Sequence, residues 1–214
     1  LYGARVGERR MHLVKMDPEK FDFKTYYERE ITDARPMDII RWSRRLPGAA
    51  ALINGGQFRD DRSYMGLLTR DGQVLSSKEH PGWKGFFVAG PRKTKSAVKK
   101  PPAVIIDRGD AKHGLKPEEY QNAAQSFMLL DRYGRLRARD SYNLASRAAV
   151  GEDVDGQILF IMTPCAMSLY DFGLVLQSPQ LKLVRAMTLD GGFEAQLAWR
   201  DGSTRFISKN QLSI

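Results

Sequence analysis

Cysteine is almost missing from this chain: Cys165 is the single one in 214 residues. That excludes an intrachain disulfide and a zinc site of the paired CxxC type. Histidine is nearly as scarce. His12, His80 and His113 are scattered, none at the spacing of a helical metal pair, and no dense cluster of ligating residues accompanies them. No run reaches the roughly 18–20 apolar residues a membrane span needs. Ile158-Leu-Phe-Ile-Met162 has only the length of a buried strand. A GxSxG nucleophile elbow and a Walker phosphate loop are also absent. Any hydrolase built on this chain would have to lean on carboxylates, amides and arginines.

The composition is otherwise that of a globular protein, 42% hydrophobic and 28% charged, and 214 residues suffice to bury a real core. Lys and Arg number 34 against 25 Asp and Glu, a net charge of +9. Such a balance favours anionic partners: phosphorylated or acidic glycans, nucleic acid, or an anionic membrane surface. A nucleic-acid surface interleaves aromatics with its basic residues for base stacking. Here Trp83, Phe86 and Phe87 precede the cluster Arg92, Lys93, Lys95, Lys99 and Lys100, and read as buried anchors. Nucleic acid is therefore not the expected partner. The chain opens at Leu1 rather than Met, which fits a removed leader or a trimmed start.

Periodicity implies a strand-rich α+β domain over residues 1–214, with mixed or antiparallel sheets and two main helices. Met11–Met16 and Phe21–Tyr27 read as two strands about a turn at Asp17-Pro18, with Phe21, Phe23 and Thr25 on one face. Thr32 or Asp33 would cap a first helix that carries Pro36 in its first turn and runs to Leu46, with Arg41, Arg44 and Arg45 facing solvent. Hairpins are expected at Asp71-Gly72, Asp155-Gly156 and Asp201-Gly202. Residues 78–102 read as an excursion from the sheet tipped by a mobile loop, and 103–107 as a strand. Ser168, with Asp171 three residues on, opens a second helix that turns Leu169, Phe172, Val175 and Leu176 inward.

Two stretches share one construction. The run 49–53 stops at Asn54-Gly55-Gly56, and the run 186–189 stops at Asp190-Gly191-Gly192. Adjacent glycines permit positive φ and a close approach to the main chain. One strand end thus presents an amide and the other a carboxylate, and such ends commonly meet ligands. Arg147 offers a planar fork suited to a phosphate, although on local sequence alone it reads as half of a structural salt bridge.

In order and spacing these pieces resemble the phosphodiester glycosidase family, whose best-known activity is on a sugar-1-phosphate diester and whose bacterial members are usually exported, which implies a periplasmic or secreted location with the leader removed. Leu52-Ile-Asn-Gly-Gly-Gln-Phe58 is similar to its NGGFF turn, 65–75 to the hairpin that follows, and 124–134 to the next lead-in. Ser146-Arg-Ala-Ala-Val-Gly151 resembles the RTAxG motif and 186–192 the LDGG signature. Gln57 stands where the family usually has an aromatic, Ala148 replaces a Thr, and Phe193-Glu194 replaces a Gly and a Ser.

The resemblance implies a hydrolase cleaving a sugar-1-phosphodiester in envelope or exopolysaccharide glycans, with an anionic or phosphorylated glycan as partner. Asp190 and Arg147 are the implied catalytic pair, and Asn54, Gly55, Gly56, Gly191, Gly192 and Glu194 bind substrate. Glu194 is the reserve second carboxylate, with Asp107 and Asp60 behind it. No cofactor is called for, and a divalent cation beside the carboxylates is left open. The three departures keep a second reading alive, a non-catalytic, envelope-associated glycan-binding protein of the same fold.

Overall fold

The structure is a computed structural model describing residues 2–6, 9–27, 38–93, 99–109 and 114–209. In chain order the elements are β1 (Tyr2–Val6), β2 (Arg9–Met16), α1 (Ile39–Arg45), β3 (Ala51–Ile53), β4 (Leu68–Arg70), β5 (Gln73–Ser76), β6 (Gly85–Pro91) and β7 (Ala103–Asp107). After these come β8 (Tyr120–Ser126), β9 (Met128–Leu130), β10 (Ala145–Asp153), β11 (Ile158–Met167), α2 (Leu169–Leu176), β12 (Leu183–Thr188), β13 (Gln196–Asp201) and β14 (Thr204–Lys209). They build a six-stranded sheet ordered β1-β2-β11-β10-β12-β9, a three-stranded sheet β14-β13-β3 and a five-stranded sheet β5-β4-β8-β6-β7. Every strand pairing among the described residues is antiparallel. The α+β class and the two helices expected from the sequence are therefore what forms.

The six-stranded sheet is buried on both faces. Along β11, Ile158, Phe160 and Met162 enter the central core with Leu197 and Trp199 of the three-stranded sheet and Ile105 of the five-stranded one. Leu159 and Ile161 point the other way, beneath Phe172 and Leu176 of α2. Period-2 alternation between two apolar environments is why 158–162 reads as one unbroken apolar run. The Ser168 hydroxyl caps α2, accepting from the Asp171 N–H at 2.9 Å. At the tip of the β4–β5 hairpin Asp71 and Gly72 both take positive φ, 47° and 83°, the pair a tight two-residue turn demands.

Three expectations change. Residues 21–27 form no strand. Phe23 and Tyr27 are buried, Phe21 is exposed, and Thr25 is held through side chains, its hydroxyl donating to the Thr69 carbonyl at 2.7 Å. Helix α1 begins at Ile39, capped by Asp38, whose carboxylate accepts from the Arg41 N–H at 2.9 Å. The start expected around Thr32, Asp33 and Pro36 lies outside the described residues. Residues 78–102 are no excursion from the sheet. Within them β6 pairs with both β7 and β8, and Phe86, Val88 and Ala89 are buried. The Pro and Gly residues that prompted the loop reading flank or end a central strand. Lys95 and His113 fall outside the described residues.

Candidate functional site

The site forms where the three sheets meet. Strand β12 runs antiparallel to β10, and its ladder continues one step past its end, the Leu189 N–H donating to the Ala148 carbonyl at 2.8 Å. The chain then changes partner. The Asp190 N–H donates to the Gly55 carbonyl at 2.9 Å, and the Asn54 amide donates back to the Asp190 carbonyl at 2.8 Å. Asn54 is fixed on its other side too, its Oδ1 accepting from the Gln196 N–H at 3.1 Å. Both polar faces of the amide are thus spent on tying the two glycine turns together. Asn54 is a clamp, which differs from the free projecting amide expected from its strand-end position.

The glycines are explained by crowding more than by dihedral freedom. Neither Gly55 nor Gly56 takes positive φ. A Cβ on Gly56 would lie 2.5 Å from the Tyr64 hydroxyl, whereas one on Gly55 would meet open space. A Cβ on Gly191 would lie 2.9 Å from the Ser146 carbonyl and 3.5 Å from Arg147 Nη1. That close approach seats the Asp190 turn directly on the arginine. Gly192 alone takes positive φ, 65°, and starts a short 3-10 turn over Gly192–Glu194.

Arg147 follows a register irregularity in β10 between Ala145 and Arg147, the kind of defect that re-aims a side chain. Its neighbours Ser146 and Ala148 are fully buried while Arg147 is partly exposed. The guanidinium donates from Nε to the Met167 carbonyl at 3.0 Å and from Nη2 to the Asn143 carbonyl. Among the described residues no ion pair joins it to a carboxylate, so the salt-bridge reading fails. Burial lowers its pKa, with no anion opposing the shift.

Asp190 is the electrostatic counterpart. Burial pushes its pKa up, the Gly191 N–H on Oδ1 at 2.9 Å opposes, and the charge of Glu194 raises it further, to about 6. Glu194 itself is exposed. Sequence reading missed Tyr64. It is buried, donates to the Gln125 carbonyl at 2.7 Å, and feels Asp190 among the causes that, after burial, raise its own pKa. Ser126 and Thr188 close the floor, with Ser126 Oγ donating to the Thr188 carbonyl at 2.5 Å. No local spacing singles these three out; only the fold brings them together.

The turns carrying Asn54, Gly55 and Gly56 and Asp190 and Gly191 therefore meet, with Arg147 beside Gly191; Gly56 is buried, Gly55 exposed and the others partly exposed, and Gly192 and Glu194 follow in the second turn. Asp107 is elsewhere, buried and facing Arg137 at 3.5 Å, and Asp60 lies in an exposed loop. His12 packs tilted against Trp199, and His80 stacks on Trp83. Among the described residues no group of three or more His, Cys, Asp or Glu side chains could hold a metal ion, and no helix is long and apolar enough to cross a membrane.

A family model described as phosphodiester glycosidase matches residues 47–212. Solved structures with a similar fold include the catalytic domain of zebrafish N-acetylglucosamine-1-phosphodiester alpha-N-acetylglucosaminidase, auto-inhibited by its pro-peptide. That likeness has 17% identity and a TM-score of 0.49, covering 70% of this chain and 53% of that one. A hypothetical protein from Synechocystis matches at 18% identity and a TM-score of 0.59, over 92% of this chain and 56% of that one. An exported-protein candidate from Burkholderia pseudomallei matches at 11% identity and a TM-score of 0.62, over 89% and 69%. The chain spans little more than half the length of the first two. No curated protein matches the sequence.

Proposed function

This chain belongs to the phosphodiester glycosidase family, and from that premise we propose that it hydrolyses the glycosidic bond of a sugar-1-phosphodiester, with Asp190 and Arg147 as the catalytic pair. The observation that carries the reading is the Asn54 clamp. It ties the turn carrying Asp190 to Gly55, and a Cβ on Gly191 of that turn would lie 3.5 Å from Nη1 of Arg147, whose Nε is held by the Met167 carbonyl.

Arg147 binds the phosphate with N–H donors fixed by the Met167 and Asn143 carbonyls. The bond from the anomeric carbon to the bridging oxygen breaks, and its electron pair leaves on the phosphate, where the guanidinium stabilises it. Water supplies the new oxygen on carbon, and its proton passes to the Asp190 carboxylate. A carboxylate with a pKa of about 6 is a stronger base than an ordinary aspartate and is still ionised at neutral pH. A phosphate ester leaves readily, so a site with one evident carboxylate suffices where ordinary glycosidases use two. Gly55, Gly56, Gly191, Gly192 and Glu194 line the place where sugar hydroxyls bind.

The net charge of +9 suits an anionic glycan, and an envelope or exopolysaccharide setting outside the cytoplasm fits both that charge and the description of the Burkholderia neighbour. The test is a panel of sugar-1-phosphodiesters assayed for free sugar and phosphate monoester. Release that disappears in Asp190→Asn and Arg147→Ala is the expected result. Tight binding without turnover would instead favour the glycan-binding reading, which the exposed Phe193-Glu194 pair beside Asp190 keeps in play.

A further inference from the structure

The three-stranded sheet turns one face to the central core and the other to α1. Leu197 and Trp199 enter the core, so Gln196, Ala198 and Arg200 point towards the helix. Their partners on β14 share that face: Lys209 opposite Gln196, Ile207 opposite Ala198, and Arg205 opposite Arg200. The two ends of this face differ. At one end Lys209 pairs with Asp38 at 2.6 Å, and Gln196 Oε1 accepts from the Ile39 N–H at 2.9 Å. At the other end two arginines stand side by side, and like charges directly opposite on a sheet repel. Among the described residues neither Arg200 nor Arg205 forms an ion pair with a carboxylate. Asp201, next along the strand, pairs with Thr204 and falls on the opposite face.

Arg205 is aimed by a neutral group. Its Nη1 donates to Ser43 Oγ at 3.1 Å, and that hydroxyl gives its own proton to the Ile40 carbonyl at 2.8 Å. Ser43 therefore fixes the guanidinium without cancelling its charge. Ser43, Arg200 and Arg205 line one small open hollow, floored by Leu52 and Ala198. Both arginines are only partly exposed, so water screens their repulsion less than it would on an open surface. A group with negative charge spread over several acceptor oxygens satisfies both at once, since each guanidinium offers a fork of N–H donors. We infer that Arg200 and Arg205 form an oxyanion site for a phosphate group, held between the two strands of the β13–β14 hairpin. It is separate from the Arg147 site and does not depend on it. Gln196, whose N–H bonds Asn54, lies four residues back along β13, about 13 Å at the usual strand rise. The anion is a free phosphate ion or a phosphate carried on a larger polyanion, chemistry that the net charge of +9 favours.

Arginine Nε–H signals in proton–nitrogen NMR of the whole chain read this site. Arg147→Ala serves as the background, so that the other arginine adds no phosphate affinity. Inorganic phosphate shifts the Arg200 and Arg205 signals to saturation, whereas chloride at the same ionic strength does not. Arg200→Gln raises the phosphate Kd about tenfold, the loss of one charge-assisted contact. Arg205→Lys keeps the charge but loses the fork, and weakens binding as well. In phosphate-free buffer Arg200→Gln leaves Tm no lower, because it removes a repulsion, whereas loss of a purely structural cation would lower it. A linear polyphosphate at equal total phosphate identifies the source. Equal affinity per phosphate assigns a free ion, and tighter binding assigns a chain. Shifts that chloride reproduces, an unchanged Kd in Arg200→Gln, or a Tm that falls in phosphate-free buffer overturns the site.

Discussion

Asp131 and Asp190 begin with the same local construction and end in opposite electrostatic states. Each follows a strand, β9 or β12, and each accepts backbone N–H groups through Oδ1: Asp131 from Tyr133 and Arg135, Asp190 from Gly191. Burial raises both pKa values. At Asp131 the N–H groups of Arg135 and Tyr133 and the Arg135 guanidinium at 3.0 Å outweigh that penalty and hold the acid below its ordinary value. Arg137 adds a second guanidinium, 3.6 Å from Asp131 and 3.5 Å from Asp107. At Asp190 one N–H stands against burial and the Glu194 charge, and the acid rises to about 6. The nearby cation, Arg147, is anchored by carbonyls instead. Scaffold charges around Asp131 neutralise one another, whereas among the described residues neither Asp190 nor Arg147 forms an ion pair.

The largest expected effect tests that contrast on stability. Asp131→Asn weakens the bonds that the buried carboxylate accepts from the Tyr133 and Arg135 N–H groups and the Arg135 guanidinium, and costs about 2–3 kcal/mol, a fall in Tm of about 4–10 °C. Asp190→Asn keeps the Gly191 N–H bond, removes a disfavoured charge, and loses no stability at pH 7. The signs in pH are opposite as well. The depressed Asp131 stabilises the fold above its unfolded pKa and loses that contribution as pH falls through the folded value. The raised Asp190 contributes stability below its unfolded value, near 3.8, and loses it as pH rises through about 6. Urea titrations of both variants from about pH 2 to 8, which brackets both transitions, check this, and equal losses at neutral pH would erase the contrast. Next in size is Gly191→Ala. Its Cβ would meet a backbone oxygen at 2.9 Å, so the turn must lift from Arg147, at about 1–3 kcal/mol. Gly55→Ala, facing open space, leaves the unfolding midpoint where it was.

Much of this contrast lay in the sequence, but unevenly. The hairpin tips, the Ser168 cap and strand β7 follow from local rules, because a turn or cap is decided within four residues. The convergence of Asn54, Arg147 and Asp190 needed their order along the chain and the resemblance it supports, since each motif alone is a common turn. Three things depended on tertiary context. Arg147 reads as half of an ion pair until the carbonyls of Asn143 and Met167 are seen to take its N–H groups. Strand β6 was hidden by the Pro and Gly residues around it, although its 85–89 run is bonded on both sides. Tyr64 carries no local signal, and its place beneath Gly56 follows only from β3 and β8 being brought together.

A smaller effect concerns proton uptake. With Asp190 acting as base in its ionised form, kcat/KM climbs with pH through a midpoint near 6 and levels off above it. A profile that falls across that range would make Asp190 an acid and reverse its proposed role. The smallest expected effect separates the causes of that midpoint. Glu194 is exposed and contributes by charge, whereas burial of Asp190 contributes by desolvation. Glu194→Gln removes only the charge, so the midpoint moves down while remaining above that of an ordinary aspartate. Because the Glu194 carboxylate faces solvent, salt screens its effect. The gap between wild type and Glu194→Gln should therefore narrow from low to high ionic strength, while the part due to burial persists in both. A gap insensitive to salt would mean that Glu194 acts by contact with the Gly192–Glu194 turn, and the edge of the site would then be positional instead of electrostatic.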